Sequence, residues 1–263
     1  MKIAILGTGK MGAAMAKGLA RSGEAGWDLV LTNTTGVLPE SLADLALRCM
    51  KSNADAVSGA DIIILAVLPQ QYQAVIAEIR DAAQAGACLI SIAPGYTLEK
   101  LTSLTGGRLQ VIRAMPNTPA LIGEGMIAVC RGANVKDKTF DLAQRVLGVL
   151  GHTEAVSESQ LNAVIGVSGS APAYVYMFVD ALADAGVLGG LHHSQAVRMA
   201  AQMLYGSAAL LRESGKSPAE LREMVCSPAG TTIEAVASLE ESGFRGAVIK
   251  AARAAMEKAS KMG

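Results

Sequence analysis

Charge is sparse in this chain of 263 residues and neither sign prevails, with Lys and Arg totalling 23 and Asp and Glu also 23. A neutral chain has no electrostatic footprint for nucleic acid or an anionic membrane. Aromatic residues make up only 3%, too few for base-stacking platforms. The four cysteines, Cys49, Cys88, Cys130 and Cys226, are far apart and form no CxxC pair. That excludes metal-ligand spacing and points to thiols in a reducing, cytoplasmic compartment. His152, His192 and His193 are the only histidines, and none falls in a motif that carries chemistry. No secretory signal is expected, because Lys10 interrupts the early apolar run. Ala163 to Val179 is the one uncharged stretch with membrane character. It contains Gly169 and Pro172, falls short of a full span and runs into Asp180 and Asp184. A buried helix of a soluble protein is expected there, with neither a membrane nor a nucleic-acid partner.

What the chain does have is Ala, Val, Ile and Leu in a regular alternation of short and long runs. Strands are expected at Lys2 to Leu6, Asp28 to Thr32, Asp61 to Val67, Cys88 to Ala93, Leu109 to Ala114, Met126 to Cys130 and His152 to Val156. Runs such as Ile62 to Leu65 are apolar throughout, as strands covered on both faces must be. Helical periodicity lies between them, at Met11 to Arg21, Gln70 to Gln84 and Lys136 to Leu147. This alternation predicts a parallel, doubly wound α/β sheet. After about Ser157 only helical segments remain: Ala173 to Ala185, His193 to Arg212, Pro218 to Val225, Thr231 to Leu239 and Phe244 to Lys258. They carry too few charges to stand alone in water, so an all-α domain that packs against another subunit is expected.

Gly7-Thr8-Gly9-Lys10-Met11-Gly12 follows the first strand and opens the first helix. Gly7 suits a tight turn, Gly9 a close backbone approach to pyrophosphate, and Gly12 close packing of helix on strand. The pyrophosphate of a nicotinamide dinucleotide would then lie at the helix N-terminus. The expected fold is therefore an N-terminal Rossmann-type domain with a mainly parallel sheet, residues 1–156, followed by an all-α dimerisation domain, residues 157–263. The second strand ends in Asn33-Thr34-Thr35 where an NAD site would have an acid. These donors suit a 2′-phosphate, so NADPH is favoured. NADH stays open, since no arginine clamps the phosphate and a plain polar strand end reads equally well. Ala66-Val67-Leu68-Pro69 and Ala93-Pro94-Gly95 should border the cofactor from the ends of their strands. Between Pro116 and Pro119, Asn117 is held in a rigid loop near the nicotinamide end, where it is expected to touch substrate. In the helical half, Ser227-Pro228-Ala229-Gly230-Thr231-Thr232 leaves N–H groups uncovered at a helix start. This makes a cradle for a small carboxylate, although a plain capped helix start would look similar.

Taken in this order, the motifs closely resemble the pyrroline-5-carboxylate reductase family over nearly the whole chain. The most specific part runs from Pro218 to Glu240, and Gly169-Ser170-Ala171-Pro172-Ala173-Tyr174 is also similar to the family pattern. The resemblance implies hydride transfer from NAD(P)H to a cyclic imine, giving L-proline. It implies Asn53 as an adenosine-side contact, Thr232 as the catalytic hydrogen bond to the ring nitrogen, and Ser227 with Ala229 to Thr232 around the carboxylate. It also implies a homodimer that often assembles as five dimers. Leu68, Pro94, Ala171 and Ala229 depart from the family pattern, Leu68 by removing a positive charge near the cofactor. A β-hydroxyacid dehydrogenase would need a lysine four residues before Asn162, where this chain has Glu158. A deazaflavin-dependent reductase fits the Ser227 to Thr232 segment poorly, and a silent redox sensor would not need that segment.

Overall fold

Eight strands form one sheet in the computed structural model, which describes residues 1–261. Met262 and Gly263, the end of the expected helical domain, lie outside the described residues. The strands are β1 (Lys2–Leu6), β2 (Asp28–Thr32), β3 (Arg48–Met50), β4 (Ile62–Leu65), β5 (Cys88–Ser91), β6 (Gln110–Met115), β7 (Gly125–Arg131) and β8 (Gly151–Ala155). Their order is β3-β2-β1-β4-β5-β6-β7-β8. The first six run parallel, β7 is antiparallel to β6, and β8 is parallel to β7. Strand order reverses between β1 and β4, which opens a crevice at their carboxyl ends.

The helices are α1 (Lys10–Arg21), α2 (Asn53–Val57), α3 (Tyr72–Ile79), α4 (Leu98–Leu104), α5 (Asp137–Leu147), α6 (Leu161–Val164), α7 (Ala171–Leu188), α8 (His193–Ser214), α9 (Pro218–Val225), α10 (Thr231–Glu241) and α11 (Phe244–Ser260). Alternate residues of the central strands face opposite layers. Ile3, Ile5 and Ile64 pack with Met15 and Leu19 of α1, whereas Ala4, Leu6 and Leu65 pack with Tyr72 and Ile76 of α3. Both faces are covered, so the strands can be apolar throughout. β3 and α4 were not anticipated. β3 is three residues long at the sheet edge and only half-buried, so it has no apolar run to mark it. The helix expected from Gln70 to Gln84 is shorter, with a 3₁₀ turn at Pro69–Gln71 leading into α3.

The chain divides into two units, Met1–Ser170 together with the chain from Ala255 onward, and Ala171–Ala254. The expected division after Val156 falls at the end of the sheet. The first unit continues through α6 because Leu161 is buried with Met115, Ala128 and Cys130. In the second unit α7 packs on α8, with Gly186 so close to Ala196 that a methyl on it would lie 2.8 Å from the Ala196 Cβ. Only Ala183, Ala196 and Ala200 are fully shielded there, while Met177, Tyr205, Met224 and Ile249 are exposed. The helix expected to be buried at Ala163 to Val179 is left largely uncovered within one chain. The helical run Glu158–Leu188 is long and apolar enough to cross a membrane by length and composition, and only 6% of its most apolar window is buried in the chain. Its apolar side faces outward because this chain supplies no cover for it.

Tyr72 ties the sheet together at the switch point. Its hydroxyl donates to the Leu65 carbonyl at 3.0 Å and accepts from the Ser91 hydroxyl and the Ala93 N–H, both at 3.2 Å. Burial pushes the phenol above its ordinary range, so it stays protonated and keeps donating. Tyr72→Phe leaves these buried groups unpaired and should destabilise the first unit by about 1–3 kcal/mol. Urea unfolding monitored by circular dichroism checks this as a lower midpoint at unchanged slope.

Candidate active site

Gly7, at φ +103°, turns the chain out of β1 in a conformation that side chains avoid. A methyl on it would meet the Ala66 carbonyl oxygen at 2.8 Å and Val67 at 3.0 Å, so the turns after β1 and β4 are in contact. A methyl on Gly12 would lie 2.0 Å from the Gly7 carbonyl oxygen and 3.1 Å from the Ala66 Cβ. Gly9 differs, since a methyl there would meet no atom within 4 Å. Gly9 is also the N-cap of α1, which has no side-chain cap and no acid in its first turn. The start of α1 thus opens beside Gly9 onto space free of side chains, while Gly12 is buried behind it. Helix ends left without partners bind anions, and this cradle fits a pyrophosphate.

The remaining candidate loops of the first unit leave the same sheet edge. Asn33 gathers the loop after β2 around its side chain. Its carbonyl oxygen accepts from the Thr35 N–H, the Thr35 hydroxyl and the Gly36 N–H at 3.1, 3.0 and 2.7 Å. Its amide donates to Thr8 Oγ1 at 3.0 Å and the Val37 carbonyl at 2.8 Å. Asn33 therefore shapes the loop from within, its amide and its oxygen both engaged in the chain. Thr34 is exposed and makes no such bond. Asn53 accepts from the Thr32 hydroxyl at 2.6 Å and donates to Glu78 at 2.8 Å, with its own N–H also on Glu78 at 3.1 Å. It joins the end of β2 to α2 and α3. Leu68, before Pro69, is 67% exposed. Beyond β5, Ala93 is fixed by Tyr72, followed by exposed Pro94 and by Gly95 at φ +90°.

Asn117, expected to touch substrate, is engaged within the chain. It donates to the Ser168 carbonyl at 3.2 Å and accepts from the Met126 N–H at 3.0 Å. An amide held at both ends is a brace, here between the loop after β6, β7 and the π-helical turn Ile165–Gly169. Glu158 is likewise committed, accepting from Arg113 at 2.5 Å and from the Leu98 N–H at 2.7 Å. Burial pushes Cys88 up to about 12, and it also raises Cys49 and Cys130, so none of these three is a thiolate at neutral pH.

In the second unit, α9 and α10 start differently. α9 is closed by a Ser217–Glu220 capping box, which holds the Glu220 carboxyl below its usual range. α10 starts at Gly230 with no side-chain cap, and the N–H groups of Thr231, Thr232 and Ile233 find no acceptor among the described residues. The Gly230 N–H closes a turn on the Ser227 carbonyl at 3.0 Å, and the Ser227 hydroxyl lies over the Gly230 Cα where a methyl would fall. Ala229 holds this turn at φ +56°, the one described non-glycine residue at positive φ. Thr232 is half-buried. The loop is an open row of donors suited to a small carboxylate. Sequence reasoning missed the Tyr72 hydroxyl and Glu78, because hydrogen bonding across turns leaves no periodic trace.

A family model described as pyrroline-5-carboxylate reductase dimerisation matches residues 158–262. Another, described as NADP oxidoreductase, coenzyme F420-dependent, matches residues 2–95. The chain is 41% identical over 263 residues to the pyrroline-5-carboxylate reductase of Escherichia coli strain K12, covering 99% of this chain and 98% of the relative. It is 37% identical over 265 residues to pyrroline-5-carboxylate reductase 3 of Danio rerio, covering 100% and 92%. Among solved structures it resembles the pyrroline-5-carboxylate reductase of Coxiella burnetii at TM-score 0.93 and 29% identity, covering 99% and 97%. It also resembles the Plasmodium falciparum pyrroline carboxylate reductase with NADP bound at TM-score 0.85 and 30% identity, covering 100% and 98%.

Gly9 and Gly12 should separate binding from stability. Gly9→Ala should unfold like the parent yet bind dinucleotide about tenfold more weakly, as its methyl enters the phosphate cradle. Gly12→Ala should lose about 2–3 kcal/mol of stability from backbone overpacking. Thermal unfolding and dinucleotide titration of the two variants check both expectations.

Proposed function

Because this chain belongs to the pyrroline-5-carboxylate reductase family, it reduces the C=N bond of 1-pyrroline-5-carboxylate with NAD(P)H to give L-proline, and we propose that the open start of α10 orients that imine. The uncapped N-terminus beneath Ser227 carries this reading. In it the N–H groups of Thr231 and Thr232 and the Ser227 hydroxyl take the substrate carboxylate, with Gly230 closing the turn on the Ser227 carbonyl and Ala229 setting it. The Thr232 hydroxyl accepts a hydrogen bond from the protonated ring nitrogen. That bond, together with the anchored carboxylate, fixes which face of C5 is presented.

The bound nicotinamide cofactor supplies the hydride to C5. NADPH is the cofactor, with NADH possible in the same site. For it, the start of α1 at Gly9 to Gly12 holds the pyrophosphate, while Gly7, Thr8, Ala66 to Pro69 and Ala93 to Gly95 form the walls. Thr34 and Thr35 face the ribose, with Asn53 bracing that side. A protonated imine is already electrophilic, so the residues need only position and desolvate it. No general acid is required of them.

The helical half serves a homo-oligomer, as its match to a dimerisation family supports. We extend the proposal to an assembly of five dimers in the cytoplasm, without nucleic-acid or membrane partners. Four unpaired cysteines and zero net charge support the compartment and the lack of anionic partners.

Thr232→Ala should lower kcat about tenfold, the worth of one hydrogen bond of roughly 1.4 kcal/mol. Dinucleotide affinity should not change. An unchanged kcat in steady-state assays would remove Thr232 from this role. Light scattering on the active enzyme should give a dimer or a larger multiple, and a fully active monomer would overturn the oligomer reading.

A further inference from the structure

The end of β2 lacks both the acid that would favour an unphosphorylated ribose and an arginine that would hold a 2′-phosphate. The sequence there reads Thr32-Asn33-Thr34-Thr35-Gly36. Its polar side chains are partly committed, with the Thr32 hydroxyl on Asn53 and Asn33 bonded at both ends. Thr34 is exposed at the surface, but neutral donors alone balance little of a phosphate's charge.

A cation reaches this loop from the neighbouring strand. β3 runs parallel to β2, pairing Thr32 with Met50, so both strands end at the same edge. The Asn33 N–H bonds the Met50 carbonyl at 3.3 Å and pins the loop to that end. Lys51 follows directly. Its stem runs against Gly36, where a methyl would stand 2.9 Å from Lys51 Cγ and 3.2 Å from its backbone nitrogen. Gly36 also sits at φ +70°, so both the space and the backbone there favour glycine, and the lane for the lysine stem stays clear. The Lys51 side chain is exposed and takes part in none of the ion pairs among the described residues. The neighbouring cation on β3, Arg48, is held by Asp28 at 2.6 Å. Glu78, the carboxylate bonded to Asn53, already receives two N–H groups.

We infer that Lys51 is the counter-ion for the cofactor's 2′-phosphate, and with Thr34 sets the preference for NADPH over NADH. The inference rests on the proposed placement of the adenosine half at the ends of β1 and β2. A 2′-phosphate carries between one and two negative charges at neutral pH, and lysine binds phosphate as a point charge without needing a bidentate fit. A lysine arriving from β3 takes the place of an arginine in the β2 loop.

Calorimetric titration of adenosine 2′,5′-bisphosphate and of 5′-AMP separates the contributions without turnover. The parent protein should bind the bisphosphate more tightly, with the difference shrinking as salt rises. Lys51→Gln should weaken the bisphosphate about tenfold, leave 5′-AMP unchanged, and flatten that salt dependence. Lys51→Arg should keep the parent behaviour. If Lys51→Gln discriminates as the parent does, or loses both nucleotides equally, Lys51 is not the counter-ion while the adenosine site stands. If the parent binds neither nucleotide, the placement of the adenosine half fails and the inference falls with it.

Discussion

Helix α1 and the turn after β1 meet with no side chain between them, and a methyl at Gly12 would lie 2.0 Å from the Gly7 carbonyl oxygen. This approach anchors the start of the helix at the point where strand order reverses. Gly18, further along, lies against Val149, so α1 is also held close to the turn that precedes β8. The helix dipole places about half a positive charge at the N-terminus, and close packing holds that charge beside the turns after β1 and β4. The anion cradle thus follows from a packing constraint. Bulk at Gly12 would move the helix, and the row of N–H groups would move with it.

Around this anchor the loops are held by amides and a phenol more than by charge. Asn33, Asn53 and Asn117 each both donate and accept across a turn, and Tyr72 does the same beneath β4 and β5. A group that gives and accepts can fix two segments at once, which suits a reaction whose catalysis is largely positioning. Most of the ion pairs lie at the surface and are worth little. The half-buried Arg113–Glu158 pair, which ties β6 to the entry of α6, is the exception in placement.

Much of the sheet was legible before any coordinate. The central strands are apolar on both faces and the helices between them periodic, so their existence follows from burial alone, and β1 and β2 end where the pattern ends. The glycine spacing was legible for the same reason, since Gly7 and Gly12 answer to steric limits. β3 was not, because an edge strand of three residues, one exposed and two half-buried, satisfies no periodicity. The candidate site was legible as positions and much less as roles. An asparagine in a loop looks alike in sequence whether or not it braces its neighbours, and the bracing bonds of Asn33 and Asn117 are visible only in the structure. The outward apolar face of α7 fits the expectation of a helical half that packs against another subunit, since hydrophobicity shows that a surface must be covered.

That face has a consequence for how the protein is made. The first unit has its own core and can reach its native form by a unimolecular reaction. The second shields only Ala183, Ala196 and Ala200, so its native form depends on an encounter between chains, a second-order event. Dilution and slow synthesis therefore act on the two halves differently, since mass action leaves the sheet unaffected while eroding the helices. Newly made chains would wait with a finished nucleotide fold and an unfinished helical half, exposed to proteolysis or aggregation until a partner arrives.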